Sequence, residues 1–349
     1  MTKNNTVLVT GGAGYIGSYT AHQLIASGAK VVVVDNLYSG HLWAVPKQAL
    51  FYEGDAGDQT LLGKIFNDHK IDSVIHFAGH IVVPESASDP LKYYRNNVVA
   101  SQALVSTCLK HKVAQFIFSS SAAVYGIPKT IPVNEQSTTE PINPYGASKL
   151  ISEWLLRDVA HTSTLADSDY GNFRYVALRY FNVAGAHPEA LLGQATPDAT
   201  HLIKVASEAV CGLRDSMTIY GTDYETEDGT CIRDYIHIED LANAHLAALR
   251  YLNQGGQSNI FNCGYGQGFS VKQVLETVQN VSGINIMIIE GHKRAGDPPS
   301  LIADNARIRA TLDWTPEYQD LELICKTAVQ WEKKISAIDL RGRQHSESL

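Results

Sequence analysis

The sequence predicts an α/β fold, a doubly wound parallel sheet with a smaller second domain, and three observations predict it. Short apolar runs rich in Val and Ile recur along the first half of the chain, each followed by a stretch with helical spacing of apolar residues. Strand and helix alternate without a break up to about residue 180. The first strand runs into a glycine-rich turn, Gly11-Gly12-Ala13-Gly14-Tyr15-Ile16-Gly17, that opens onto a helix. Strands that are apolar throughout need cover on both faces, which calls for a parallel sheet between helices with ligand at the C-terminal strand ends.

Val7 to Val9 read as the first strand, and Tyr15 to Ser27 as a helix with Ile16, Ala21, Leu24 and Ile25 on one face and Gly28 as its stop. In that context G-x-G-x-x-G (Gly12, Gly14, Gly17) means dinucleotide binding. Glycines allow a tight turn and close approach to a pyrophosphate, and the helix N-terminus offers unpaired N–H groups. Lys30 to Val34 form the second strand and end in Asp35-Asn36. An acid about 20 residues after the glycines belongs on the adenosine ribose hydroxyls. No Lys or Arg lies within Asn36 to Gly40, which favours NAD over NADP. Leu50 to Glu53 read as the third strand, ending at Gly54-Asp55-Ala56, and a helix follows from Asp58 to about Asn67. Asp72 to Phe77 form the fourth strand, followed by Ala78-Gly79. One long helix, Pro90 to Lys110, leads to the fifth strand, Ala114 to Ser119, which closes in Ser120-Ser121-Ala122-Ala123-Val124-Tyr125-Gly126. A loop to Asn143, a helix to about His161 and a polar loop to Asn172 precede the sixth strand, Tyr175 to Leu178, which ends in Arg179-Tyr180-Phe181-Asn182.

From about Val183 glycine and proline become frequent and the elements shorter, while 232–266 looks regular again. The expected division is a Rossmann-type dinucleotide domain, 1–182 plus about 232–266, and a discontinuous substrate domain, about 183–231 plus 267–338. The polar tail 339–349 is expected to be disordered. A formal charge of −8 over 349 residues excludes general nucleic-acid binding. Cys108, Cys211, Cys231, Cys263 and Cys325 contain no C-x-x-C pair, so they read as thiols of a reducing compartment, neither disulfides nor metal ligands. No apolar run approaches the ~20 residues of a membrane helix. The first strand begins too soon after Met1 for a signal peptide, so the expected compartment is the cytoplasm.

Tyr145 and Lys149 stand one helical turn apart and share a face. A phenol of pKa about 10 is a poor base at neutral pH. A neighbouring ammonium and an oxidised nicotinamide both favour the phenolate, so such a pair could remove a hydroxyl proton as hydride leaves the same carbon. Ser121 is placed to hydrogen-bond the same substrate oxygen.

These stretches, together with His76-Phe77-Ala78-Gly79, Arg233-Asp234-Tyr235 and Arg294-Ala295-Gly296-Asp297, run in one order over nearly the whole chain. They resemble the extended short-chain dehydrogenase/reductase superfamily and, within it, the UDP-glucose 4-epimerase family. The resemblance implies that Gly11, Gly14 and Gly17 cradle the NAD pyrophosphate, with Tyr15, Ile16, Asn36, Ala56 and Tyr180 also against the cofactor. It implies Asp35 on the adenosine ribose, Asp55 on adenine, Phe77, Ala78 and Gly79 along the cofactor, and Asn97 close to it. Tyr145 would be the acid/base, Lys149 its electrostatic partner and Ser121 an aid at the sugar 4-hydroxyl. Asn182, His201, Thr218, Tyr220, Arg233, Arg294 and Asp297 would hold the UDP-hexose, the arginines gripping the diphosphate. The implied reaction interconverts UDP-glucose and UDP-galactose through a transient 4-keto sugar with NAD retained. The resemblance further implies a homodimer packed through the helices near 90–110 and 145–161.

Related dehydratases and decarboxylases carry acids after the fifth strand, where this chain has Ala122 and Ala123, so elimination lacks its acid and base. Other departures are Ile81 where relatives often have a cofactor-binding lysine, Ala123 for a threonine, His201 for an asparagine, and Leu301 at a gate position that is tyrosine in some relatives. A smaller gate opens the alternative of UDP-N-acetylglucosamine. UDP-xylose/arabinose and UDP-glucuronate also stay open, and a non-catalytic dinucleotide sensor is a remote alternative that the presence of both Tyr145 and Lys149 disfavours.

Overall fold

The computed structural model describes residues 5–165, 167–294 and 297–338. The expected disordered tail 339–349, and Ala295-Gly296 of the Arg294-to-Asp297 motif, lie outside the described residues.

Strand β1 (Thr6–Thr10) enters the glycine turn, and α1 (Tyr15–Ala26) leaves it. Then come β2 (Lys30–Asp35), β3 (Leu50–Glu53), α2 (Gln59–Asp68) and β4 (Ser73–His76). Two short helices, α3 (Val83–Ser88) and α4 (Pro90–Tyr93), lead through a π-helical turn, Tyr94–Val99, into α5 (Ala100–Lys110). Next are β5 (Gln115–Ser121), α6 (Pro144–Thr162) and β6 (Arg174–Tyr180). The strands form one parallel seven-stranded sheet in the order β10-β6-β5-β4-β1-β2-β3, where β10 is Asn259–Cys263. Chain order reverses between β1 and β4, so the loops leaving their C-terminal ends diverge and open a crevice there.

Alternation within the strands assigns the two faces. Val7, Val9, Val31, Val33, Ile75, Ile117, Val176 and Leu178 point to one side, where Ala21 and Leu24 of α1 pack with α8 (Ile238–Asn253). Leu8, Val32, Val34, Val74, Phe116, Phe118 and Ala177 point to the other, against Leu62 and Phe66 of α2, Leu104 and Cys108 of α5, and Leu156 of α6. Each central strand is therefore apolar at consecutive positions because each position has its own hydrophobic layer to fill.

The remaining elements are β7 (Asn182–Ala184), α7 (Leu202–Val210), β8 (Met217–Tyr220), β9 (Ile232–His237), β11 (Gly268–Ser270), α9 (Val271–Ser282), β12 (Ile288–Gly291), β13 (Ser300–Leu301), α10 (Ala306–Thr311) and α11 (Leu321–Ile338). Strands β7, β9, β11 and β13 make a small mixed sheet, and β8 pairs in parallel with β12. The segment 232–266 is thus shared, with β9 in the small sheet and β10 at the edge of the large one. The α1/α8 core runs on without a gap into α7, α9 and α11 through Ile203, Val210, Val274 and Ile324. Two buried carboxylates tie the loops of this region together. Asp234 accepts from the N–H groups of Tyr265, Gly266 and Ala303, while burial pushes its pKa up to about 6. Asp240 accepts from the N–H groups of Glu317 and Tyr318 and from the Tyr265 hydroxyl.

The long helix expected over 90–110 is interrupted by the π-helical turn, which widens the coil at Asn96 and Asn97. Both carboxamides then reach one target: the His80 N–H donates to Asn96 Oδ1 at 3.0 Å and to Asn97 Oδ1 at 2.8 Å. Among the described residues no helix is long and apolar enough to cross a membrane, no His/Cys/Asp/Glu group has the makings of a metal site, and no cysteine is disulfide-bonded.

Beneath the crevice β5, β6 and α6 share a buried ion pair. Arg179 Nη2 lies 2.6 Å from Glu153 Oε2, with both side chains 5% exposed or less. Ser120 donates to Glu153 at 2.5 Å, Arg179 donates to the Tyr125 hydroxyl at 3.0 Å, and Tyr125 donates to Asn262 of β10 at 2.6 Å. Removing one charge strands the other in the interior. Arg179→Met is expected to destabilise the fold by about 3–5 kcal/mol, read from the urea unfolding midpoint; a loss under about 1 kcal/mol would mean the pair is not fully buried.

Candidate active site

The crevice is a cavity of about 910 Å³ that runs from the glycine turn, past the ends of β4, β5 and β6, to β9 and β13. At the glycine turn the backbone comes as close as atoms allow. Gly11 has φ +69°, and a Cβ there would lie 2.6 Å from the Ala78 nitrogen. A Cβ on Gly17 would lie 2.1 Å from the Gly11 carbonyl oxygen. Gly11, Gly14 and Gly17 all face the cavity, whereas Gly12 makes room for Val33 of β2 and does not. No side chain caps α1, so the first N–H groups of Tyr15, Ile16 and Gly17 are left for a ligand. Tyr15 anchors the turn by donating to the Gly185 carbonyl at 2.6 Å.

Asp35, at the end of β2, is buried, and its carboxylate accepts from Ala13 N at 3.0 Å and Leu37 N at 2.8 Å. Burial raises its pKa and these N–H groups oppose the rise. Each oxygen keeps a lone pair for a ribose hydroxyl. Asn36, Asp55 and Ala56 continue the wall, and Phe77, Ala78 and Gly79 line it after β4. Asn97 is not part of the wall. It is buried, exchanges hydrogen bonds with the His80 backbone and donates to Ser148 at 2.9 Å, so it fixes the loop that is. A close-approach cradle, an uncapped helix start and a buried strand-end acid without a cation beside it fit NAD.

At the other end of this wall Tyr145 sits in the first turn of α6. Asn143 caps that turn by accepting from Gly146 N at 2.8 Å, with Pro144 at the first helical position. Gly146 is needed because a Cβ would lie 2.6 Å from the Ala123 carbonyl oxygen. Tyr145, Ser121, Ala122, Ala123 and Tyr180 face the cavity together, and Tyr180 hydrogen-bonds Ser119 behind it. Lys149 lies under them, 3% exposed, and its ammonium donates to the Ser119 carbonyl at 2.8 Å. Burial pulls its pKa down to about 8, which the Glu153 carboxylate partly resists. The phenol of Tyr145 moves the other way from the expectation: burial raises its pKa, and only the Ser121 hydrogen bond opposes this. Lys149 Nζ is 6.0 Å from the centre of the Tyr145 ring, so without a cofactor's positive charge the cost of burying a phenolate wins.

Toward β9 and β13 the cavity is lined by Asn182, His201, Arg233, Arg294, Asp297 and Leu301. Arg233 is ion-paired with Asp297 and donates to its neighbour's carbonyl, that of Ile232, at 2.8 Å. His201 precedes α7 and shares a hydrogen bond with Gln194 at 3.0 Å. Thr218 and Tyr220 of β8 lie outside the cavity wall, and the Arg294 guanidinium covers the Tyr220 ring at 3.9 Å. Ile81 faces the cavity at the expected lysine position, and the lining residues directly after β5 are Ala122 and Ala123, which carry no carboxylate. Sequence reading missed Tyr38, His80, Asn143 and Gln194 in the wall; they stand in loops where only the fold brings them round the ligand.

Comparison with known proteins fits this geometry. Residues 7–264 match the family model described as the NAD dependent epimerase/dehydratase family. The UDP-glucose 4-epimerase of Azospirillum brasilense is 50% identical over 329 residues, covering 94% of this chain and 92% of that one. A crystal structure of UDP-glucose 4-epimerase from Brucella ovis in complex with NAD superposes with a TM-score of 0.89 at 44% identity, covering 94% of this chain and 98% of that one. The UDP-glucose 4-epimerase of Bifidobacterium longum in complex with NAD+ and UDP superposes with a TM-score of 0.88 at 36% identity, over 95% and 98% of the two chains. With likeness of this degree sustained from end to end, the chain belongs to the NAD dependent epimerase/dehydratase family and, within it, to the UDP-glucose 4-epimerases.

Proposed function

We propose that this cleft interconverts UDP-glucose and UDP-galactose by inverting C4 of the hexose, with NAD held throughout. The observation that carries the reading is Tyr145 beside Ser121 and above a buried ammonium, at the end of a wall that begins with a dinucleotide cradle. Gly11, Gly14, Tyr15, Ile16, Gly17, Asp35, Asn36, Asp55, Ala56, Phe77, Ala78, Gly79 and Tyr180 would hold the cofactor, and Asn97 would support them from behind. NAD bound there would supply a reversible hydride acceptor for C4. Tyr145 accepts the 4-hydroxyl proton and later returns it, Ser121 hydrogen-bonds that oxygen, and the buried charge of Lys149 favours the phenolate. Arg233 exchanges Asp297 for the diphosphate, which frees that carboxylate for the uridine ribose. Arg294 leaves the Tyr220 ring to grip the diphosphate from the other side. Thr218 and Tyr220 then receive uracil, and Asn182 and His201 complete the nucleotide site. The hexose is held only through its diphosphate, so it can turn over between the two proton transfers. Ala122 and Ala123 offer no carboxylate for elimination.

The division into a dinucleotide domain (1–182 plus about 232–266) and a nucleotide-sugar domain (about 183–231 plus 267–338) belongs to the same proposal, as does a cytoplasmic location. So does a homodimer through the helices near 90–110 and 145–161, where Val99, at the end of the π-helical turn, is 57% and Trp154 of α6 47% exposed. Light scattering should then give twice the 38.1 kDa chain mass, and Trp154→Glu should give the single mass; a parent that runs at the single mass rejects the dimer.

Purified protein incubated with UDP-galactose and no added cofactor should yield UDP-glucose, resolved by NMR, and Tyr145→Phe should slow this by about 10²–10⁴-fold. Unchanged UDP-galactose with and without added NAD would reject the reaction.

Lys149 generates a pH signature. Its pKa falls from 10.5 in the open chain to about 8 in the fold. Between these values the unfolded chain binds the extra proton, so this position's contribution to stability rises with pH there, and below about 8 its cost is complete. Parent stability should therefore improve relative to Lys149→Met as pH is raised through that window, as read from urea midpoints. A constant difference would show that the ammonium is not desolvated.

A further inference from the structure

Strands β2 and β4 are the two neighbours of β1, so the loops leaving them flank the glycine turn on either side. A contact between those two sides passes over whatever lies on the turn. Tyr38, in the loop after β2, makes such a contact. It is 58% exposed, yet its hydroxyl accepts from Lys92 Nζ at 3.0 Å, and the same ammonium lies 5.0 Å from its ring centre. Lys92 belongs to α4, beyond β4, and is held in place by Glu85 of α3, which also accepts from the Tyr93 hydroxyl at 2.8 Å. The His80 ring meets Tyr38 edge-on at 4.7 Å, and both residues line the cavity.

We propose that Tyr38 and Lys92 form a clasp over the dinucleotide cleft that slows the departure of NAD. The inference rests on the proposed reaction and adds to it what keeps the cofactor in place. A cofactor lost between the two proton transfers would strand the 4-keto sugar, so long residence is a requirement of the chemistry. Ile81 supplies no charge on this side of the cleft. Lys92 brings an ammonium from α4 onto Tyr38, which lines the cavity on the opposite side. An exposed pair of this kind contributes little to global stability, but the hydrogen bond and the cation over the ring must both break before the loops part.

The test compares NAD release from loaded protein diluted into an enzymatic NAD trap, and NAD content after purification by chromatography of the denatured protein. Tyr38→Ala and Lys92→Met should release NAD about tenfold faster than the parent. Lys92→Arg, which keeps a cation over the ring, should stay near the parent, and Tyr38→Phe should fall between. Circular dichroism of each variant with saturating NAD reports the fold independently. Release at the parent rate from loaded Tyr38→Ala and Lys92→Met overturns the clasp alone. A parent that arrives without NAD and takes none up overturns the clasp and the proposed reaction together.

Discussion

An ammonium group kept out of water is the constraint from which the architecture of this site follows. Lys149 is buried with the Ser119 carbonyl as its hydrogen-bond acceptor. Leaving a charge in such a place is unfavourable, and the surrounding structure compensates for it. One turn further along α6, Glu153 adds its field, and Arg179 and Ser120 hold that carboxylate in turn. The strand ends of β5 and β6 and the first turns of α6 are thereby locked together, which is what gives Tyr145 and Ser121 a common face on the cavity.

The pKa directions divide the work between protein and ligand. Burial disfavours the charged form of both members of the pair, raising the phenol and lowering the ammonium. The protein alone therefore keeps the Tyr145 phenol protonated. In the proposed reaction a cationic cofactor in the adjoining cradle would supply what is missing and would tie the basicity of Tyr145 to an oxidised dinucleotide. The substrate end shows a similar reserve. Arg233 and Arg294 are engaged by Asp297 and Tyr220, so in the proposed reaction diphosphate binding would exchange partners instead of desolvating free guanidinium groups.

Much of the large sheet was legible because its strands are continuous apolar runs and the turns between them carry glycine or acid at chemically meaningful places. Gly11, Gly14, Gly17, Asp35, Ser121 and Tyr145 all face one cavity, as their motifs implied. Legibility ended where local pattern stops determining contacts. The π-helical turn at Asn96 and Asn97 has no periodic signature, since it exists to bring two carboxamides to one backbone N–H. Asn97 consequently acts through the His80 loop and not on the cavity itself. Thr218 and Tyr220 stand off the wall, and Arg294 covers the Tyr220 ring. Strand β9 looks like a strand of the main sheet in sequence but pairs with β7, β11 and β13.

The sequence by itself determined the doubly wound sheet, the glycine-rich dinucleotide turn, the NAD cofactor and the setting of Tyr145 and Lys149 one turn apart on α6. Each of these rests on residues near one another in the chain, where steric limits on glycine and helical spacing act directly. Tertiary structure alone decided the protonation tendencies of Tyr145 and Lys149, the partners of the two arginines, and the meeting of Tyr38 with Lys92 across the cleft. Desolvation and contacts between distant loops depend on what the fold excludes from water and brings together, and neither quantity is written in a local run of residues.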